Sequence, residues 1–479
     1  MKKKMVTVCF ALLLTVSMIA AAGAAPTYLG IAGGGKGYIE KLDGNTFLFG
    51  GGEYVGIRFV RNIAGKDIQD ALFGVIWGNQ TNPNSIVIYS EITRYLGAAN
   101  VSDVYGGLVA RRYPITVKTI WVQKLEDIFE YYDANGDEVA DYSRDYTGLF
   151  YRDYLWHEPV YKMVPLNTSW TRSEITGGLN PEGTNGSWMF SLTAENLNYK
   201  QIAESLNTTG DNKLNKLTFT FHLEANLVNI TAKVPYFKVT VNATDSYDIV
   251  DSEKIEVKEF NGTRIDYGVK YDHEILGWDF DARNPNARLL LEWHAVVGNY
   301  ISGNVAEWMK ERILSKIQSA TGQAVAVTPE GNVTLAESNA ATGRPILQKI
   351  LKPARLHLLD DWQKIGTLTW VTEVNVTKTE GDTPVTMNMT AQVQGNKRVQ
   401  LQLPNGGLYN GFAMLAGYSY PAGYKIYHDP EITASMNIMD ISEIAIGPPL
   451  FQTYLLYGAA AAIAIAIAVS TIAVLKRRK

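Results

Sequence analysis

The spacing with the clearest chemical meaning in this chain is Asp133-Ala-Asn135-Gly-Asp137-Glu-Val139-Ala-Asp141. Side-chain oxygens at the first, third, fifth and ninth positions, with a backbone carbonyl at the seventh, are what a tight loop needs to wrap Ca2+, a hard cation that takes oxygen ligands. Asp133, Asn135, Asp137 and Asp141 are therefore the candidate metal ligands, and Ca2+ is the cofactor they suggest. Two positions depart from such a loop. Glu138 stands where a sharp turn wants glycine, and Arg144 stands where a bidentate acid belongs, with Asp145 after it. The same residues also fit a hydrophilic hairpin turn built on Asn135-Gly136.

Over these nine residues only, the run resembles the D-x-N-x-D calcium loops of EF-hand and dockerin-like modules. Around it aromatics crowd: Phe129, Tyr131, Tyr132, Tyr142, Tyr146, Phe150, Tyr151, Tyr154, Trp156 and Tyr161. Exposed, they would stack on sugar rings or a partner protein; buried, they are strand and core residues, the commoner use of aromatics in β structure. The stretch from Gly417 through Tyr420-Pro421 to His428 reads as an ordered, Tyr-rich loop system.

Enzyme motifs are missing. The chain has no H-E-x-x-H, no G-x-S-x-G and no P-loop lysine, and Gly33 to Gly35 precede Lys36 without the following Ser or Thr. His157, His222, His273, His294, His357 and His428 are scattered, with no two at ligand spacing. Asp279 with Asp281, or Asp360 with Asp361, form carboxylate pairs of the kind a glycosidase sets across a scissile bond. Among 48 acidic residues such pairs are unavoidable, and a solvated turn is the plainer explanation. Cys9 is the single cysteine, so the rest of the chain has neither a thiol nucleophile nor a disulfide. No catalytic residue is assigned.

The termini place the molecule. Tyr454 to Leu475 is 22 uncharged residues, about 33 Å as a helix and enough to cross a hydrocarbon core, followed by Lys476, Arg477, Arg478 and Lys479. A basic stop of this kind stays in the cytoplasm, so everything before the span is expected outside the cell. Residues 1–24 read as a secretory signal: Lys2 to Lys4, an apolar run from Val6 to Ile19, and the small-residue site Ala22-Gly23-Ala24. The chain carries 44 basic and 48 acidic residues, and seven of the basic ones lie in these two terminal segments. The exported part is thus distinctly acidic, which argues against nucleic acid as a partner.

The sequon Asn-x-Ser/Thr recurs at Asn79, Asn100, Asn167, Asn185, Asn207, Asn229, Asn242, Asn261, Asn332, Asn375 and Asn388. In the strands read below, Asn229, Asn242, Asn375 and Asn388 fall on polar faces, where a bulky glycan is tolerated.

The elements that must carry these residues are mostly strands. Leu217, Phe219, Phe221, Leu223, Ala225 and Leu227 alternate with polar residues without a miss, and the phase then flips to Val228, Ile230, Ala232 and Val234 before Pro235 closes the run. Residues 367–403 read as a three-stranded meander turning at Thr379 to Pro384 and again at Gly395-Asn396. Tyr38 to Leu42 and Thr46 to Phe49 flank a turn at Asp43-Gly44-Asn45. Helix is expected only in the middle: from the Asn304 cap through Val305, Trp308, Met309, Ile313 and Ile317, and again from Ile346 to Ile365, with a linker at Ala324 to Gly343.

The fold expected is mainly β, antiparallel and sandwich-like, with a helical insert and one C-terminal transmembrane helix. Its units are a β-rich domain over 25–165, a central sandwich-like domain over 166–300, a helical segment with linker over 301–365, a membrane-proximal β domain over 366–449, the span at 454–475 and a basic tail at 476–479. Only Gly447, Pro448 and Pro449 stand before the apolar run, so the last domain should sit close to the outer membrane face.

Signal, sequon-bearing β-rich ectodomain, single span and short basic stop together resemble the layout of archaeal cell-surface glycoproteins. That likeness implies a single-pass, cell-membrane protein of the envelope, non-enzymatic, serving as coat, adhesin or capture module, with envelope proteins or glycans as partners. The other reading is a membrane-anchored extracellular hydrolase acting on polysaccharide or peptide.

Overall fold

The computed structural model describes residues 38–43, 46–50, 53–63, 66–103, 111–147, 150–182, 185–201, 213–242, 248–302, 323–329, 331–334, 350–360, 363–402, 408–428 and 436–437. Within them the chain is all strand. The first third holds β1 (Tyr38–Asp43), β2 (Thr46–Gly50), β3 (Tyr54–Ile63), β4 (Lys66–Ile76), β5 (Val87–Asp103), β6 (Arg111–Tyr132), β7 (Tyr142–Thr147), β8 (Phe150–Trp156) and β9 (Val160–Pro165). The middle holds β10 (Thr171–Arg172), β11 (Thr176–Leu179), β12 (Asn185–Asn198), β13 (Lys200–Gln201), β14 (Lys213–Asn242), β15 (Asp248–Leu276) and β16 (Ala287–Ser302). Then follow β17 (Gln323–Thr328), β18 (Gly331–Thr334), β19 (Arg355–Asp360), β20 (Gln363–Thr369), β21 (Glu373–Thr377), β22 (Val385–Asn388), β23 (Thr390–Gln402), β24 (Leu408–Pro421), β25 (Lys425–His428) and β26 (Met436–Asn437).

The pairings make two antiparallel sheets. One runs β1-β2-β3-β4-β5-β6-β16-β24-β23, with β9 beside the C-terminal end of β6. The other runs β11-β12-β14-β15-β25-β21-β22. A parallel pairing of Ala98–Asp103 on β5 with Tyr236–Val241 on β14 ties the two together.

Their facing sides form one core. The alternation read at 217–227 is seen where side chains are described: Leu217, Phe219, Phe221, Leu223 and Ala225 are buried, and the residues between them are not. On β12, Trp188, Phe190, Leu192 and Ala194 face the same way, and Phe190 stacks on its cross-strand partner Phe221 at 5.2 Å. From the first sheet come Trp121 and Leu125 of β6, Leu289, Leu291, Trp293 and Ala295 of β16, and Met414, Ala416, Tyr418 and Tyr420 of β24. A strand apolar on one face only, set against a second such sheet, is the arrangement that period-two patterning predicts.

The three β-rich segments expected as separate units share these sheets and this core: β6 pairs β16, β16 pairs β24, and β15 pairs β25. Where helix is expected over 346–365, the described residues carry β19 and the start of β20, and the linker at 324–343 carries most of β17 and all of β18; these four strands form a small sheet in the order β18-β17-β19-β20. The helix expected from Asn304 lies outside the described residues. The run does not close at Pro235, because β14 continues through it to Asn242 paired with β15, with register shifts at Tyr236/Phe237 and Thr240/Val241. Gly395-Asn396 is no turn; β23 passes through it with a bulge between Gln394 and Asn396 and pairs β24. The turn between β21 and β22 forms as expected, and β1 pairs antiparallel with β2.

One glycine is fixed by geometry. Gly277, where the chain leaves β15, has φ +76° and its absent side chain leaves room for Asn215.

Phe219→Ala should cost about 3–5 kcal/mol, the usual range for deleting a buried ring, whereas Met189→Ala, 43% exposed on the opposite face, should stay within about 0.5 kcal/mol. Denaturant titration of both variants tests the assigned parity of β12 and β14.

Candidate functional site

The Asp133–Asp141 loop follows β6 directly and folds back over the outer face of the first sheet. It is not a hairpin turn, since β7 pairs with β8 and not with β6. Asp133 is buried. Its carboxylate accepts hydrogen bonds from the amides of Asp137 and Glu138, at 3.1 and 3.0 Å. Asn135 Oδ1 accepts from the Asp137 amide at 2.9 Å, and Asp137 Oδ1 from the Val139 amide at 3.0 Å. Glu158, also buried, bridges the loop by accepting from Ala134 and Asp141 amides, both at 3.0 Å.

The backbone turns through left-handed conformations at Gly136 (φ +71°) and Glu138 (φ +65°). The second is uncommon for a residue with a Cβ, and Glu138 is tied down: its carboxylate accepts from Thr390 Oγ1 at 2.7 Å and lies 3.4 Å from Arg288. Lys352 donates to the Asp137 carbonyl. Among the described residues no three His, Cys, Asp or Glu side chains converge on a point able to hold a metal ion. Asp133, Asn135 and Asp137 are brought together around backbone amides, and Asp141 sits at the loop's far end beside Glu158.

What the loop covers is polar. β16 is buried on both faces, and its outward residues Glu292 and His294 have 0 and 1% exposure. Tyr142 donates to Glu292 at 3.0 Å, while Gln392 accepts from the Ala140 amide at 2.9 Å and donates to its carbonyl at 3.2 Å. Phe129, Tyr142 and Trp156 pack against one another with ring centroids 4.9–5.6 Å apart. Of the aromatic crowd, Phe129, Tyr131 and Tyr142 are core with Trp156 packed against them, while Tyr132 and Tyr161 are half-buried.

His294 lies 3.3 Å from Glu126 and 3.7 Å from Glu292. Burial alone would lower its pKa, but the two carboxylates outweigh that and raise it. Burial would likewise raise Glu126, yet Lys124, at 2.6 Å, and His294 hold it down to about 2. Glu126 therefore adds stability above its unfolded value of 4.5 that fades as pH falls towards 2.

The Tyr-rich stretch expected as a loop is β24 and β25, and it carries a chain of hydrogen bonds that local spacing could not reveal. His428 Nε2 lies 2.8 Å from the Val371 carbonyl, which can only accept, so the proton is on Nε2. His428 Nδ1 must then accept from Tyr420, at 2.9 Å. Tyr420 in turn accepts from His273 Nε2, leaving His273 Nδ1 buried without a hydrogen-bond partner. All three residues are buried, and burial, with His428 nearby, holds the His273 pKa well below the ordinary value.

The acids of the Asp279 and Asp281 pair are both occupied. Asp281 is paired with Arg283 at 2.7 Å, which together with backbone bonds brings its pKa to about 2, and Asp279 lies 3.1 Å from Lys162. Asp361 lies outside the described residues, as does the side chain of Asp360.

Of the sequons, Asn167, Asn185, Asn332, Asn375 and Asn388 are exposed. Asn79 is half-buried, donates to Glu53, and accepts from the amides of Thr81 and Asn82 at 2.8 and 2.7 Å. Asn100, Asn229, Asn242 and Asn261 lie in strands whose side chains there are not described, and Asn207 lies outside the described residues. So do the signal and the span at 454–475. Among the described residues no helix is long and apolar enough to cross a membrane.

Comparison with protein families, with curated proteins and with solved structures finds no match to this chain.

Because His273 is neutral in the folded state and free to protonate in the unfolded one, its burial makes stability fall as pH drops below about 6.5. His273→Phe should therefore show a smaller loss of melting temperature between pH 7 and pH 5 than the parent, as read by thermal melts at the two pH values.

Proposed function

We propose that this chain is a non-enzymatic extracellular glycoprotein of the cell envelope, anchored by one C-terminal span and acting as coat, adhesin or capture module. The observation that carries the reading is the placement of the sequons. Asn167, Asn185, Asn332, Asn375 and Asn388 are all exposed, and beside Asn185 on β12 and Asn375 on β21 the alternate residues turn into the core, so glycans there would cost no packing. The apolar run at 454–475 with its basic stop, and the signal at 1–24, supply the topology: ectodomain outside, tail in the cytoplasm.

Glycopeptide mapping of the protein from its native host should find sugar on several of those five asparagines. An intact mass equal to that of the bare processed polypeptide would overturn the reading.

Calcium belongs to the same proposal. In an extracellular setting a weak site suffices, since millimolar affinity is common in extracellular modules. Asp133, Asn135, Asp137 and Asp141 would hold the ion by turning onto it the oxygens that here accept from, or lie beside, the loop's own backbone amides. Isothermal titration with Ca2+ should give heat that Asp137→Ala abolishes, and silence at millimolar Ca2+ removes the ion from the account.

A further inference from the structure

Lys162, on β9, is the one buried lysine among the described residues. An ammonium without water is costly unless it is paired, and this one faces an unusual set of neighbours. It donates to the backbone carbonyl of Asp279, and its Nζ lies 3.1 Å from Asp279 Oδ2. The ring of Tyr199 stands 5.1 Å from the nitrogen, and the Tyr199 hydroxyl accepts from the Asp279 amide at 2.9 Å, which fixes where that aspartate sits. Trp278 packs edge-on against Tyr199 and completes an aromatic wall.

Directly across from Lys162 in the sheet is Glu130 on β6. Cross-strand partners share a face with Cβ atoms about 5 Å apart. Glu130 has no exposure to water, and its carboxyl accepts from Trp278 Nε1 at 3.2 Å, the Asp281 amide at 3.1 Å and Asn284 Nδ2 at 3.1 Å. Burial raises its pKa, which favours the protonated acid. A buried amine, a carboxyl in contact with it and a second, protonatable carboxyl alongside are the groups that amide formation requires.

We propose that Lys162 and Asp279 become joined by an intramolecular amide bond, with Glu130 relaying the proton. The Lys162 ammonium first gives a proton to the Asp279 carboxylate it is paired with, and Nζ then attacks Cγ so that the Nζ–Cγ bond forms. One proton passes from the nitrogen through Glu130 to the departing oxygen, the Cγ–O bond breaks, and water leaves. Nothing is oxidised or reduced, and no co-reactant is consumed. The asymmetry of burial suits the step: the lysine side is dry, while the Asp279 side chain is 52% exposed and gives the water a way out. The 3.1 Å contact between Nζ and Asp279 Oδ2 supplies the proximity. The product replaces a buried charge by a neutral, hydrogen-bonding amide.

The bond would link β9 of the first sheet to the connection that follows β15 of the second, closing a loop between positions 117 residues apart. A covalent closure of that length constrains the unfolded chain as a long-range disulfide does, in a protein whose only cysteine is Cys9.

The test is mass spectrometry of the full chain produced in a host that adds no glycans. Expected is an intact mass lighter by one water than the processed polypeptide, and a proteolytic fragment in which Lys162 and Asp279 are cross-linked. Glu130→Gln should restore the full mass and return the two residues to separate peptides. Asp279→Asn should still cross-link, now by losing ammonia, and give the same fragment as the parent. A parent protein at full mass, with Lys162 and Asp279 in separate peptides, would reduce the contact to an ion pair and sink the proposal; this reading needs no variant to fold. A Glu130→Gln protein that cross-links as fully as the parent would remove Glu130 from the step.

Discussion

Much of this fold follows from the fact that β16 is buried on both faces from Leu289 to Val296. Its inward residues Leu289, Leu291, Trp293 and Ala295 meet the second sheet, while Leu290, Glu292, His294 and Val296 on the other side are buried as well. In an antiparallel sandwich the outer face is ordinarily wet. Here it has to be covered, and the cover is the chain just after β6: the Asp133–Asp141 loop, then Tyr142, then Trp156. The loop's inward acids are spent on its own backbone amides and on clasping it shut, which holds Ala140 and Tyr142 against Gln392 and Glu292.

Covering a strand that carries a glutamate and a histidine creates an electrostatic demand. A buried carboxylate is tolerated only with partners, and these three have them: Glu292 has Tyr142 and His294, Glu126 has Lys124 and His294, and Glu130 has Trp278, Asn284 and the Asp281 amide. The inner face answers the same demand differently. Between β15, β24 and β25 it uses neutral rings in a fixed donor order, from His273 through Tyr420 to His428 and the Val371 carbonyl. Charged pairs thus line the outer face beneath the loop, and neutral rings pack between the sheets.

The legibility of all this in the sequence divides along physical lines. β12 and β14 were readable because one face is apolar and the other wet, so parity alone identifies the core side at Phe219 and Phe221. β16 gives no such signal: with both faces buried, Leu289 to Val297 is a nearly continuous apolar run that strands and helices share. The same ambiguity explains why 346–365 suggested helix where β19 and β20 form. Gly395-Asn396 carries turn chemistry, but a bulge uses the same residues. The Asp133 loop was visible because its donors and acceptors lie within nine residues. Glu130, Lys162 and Asp279 are far apart in the chain, and only the pairing of β6 with β9 and the turn after β15 bring them together. The hydrogen-bonded order of His273, Tyr420 and His428 was invisible for the same reason.

The pairing of β6 with β16 and of β16 with β24 has a kinetic side. Strands beginning at residues 111, 287 and 408 must meet before the middle of the first sheet exists. A chain emerging from its N-terminus would hold β6, paired with β5 on one side, as an unfinished edge until β16 had appeared, and β16 in turn until β24 had. Non-local pairings of this kind fold slowly and leave strand edges open to other chains meanwhile. The burden of keeping such an edge from aggregating falls on the period of synthesis and delivery, before any of the finished structure can protect it.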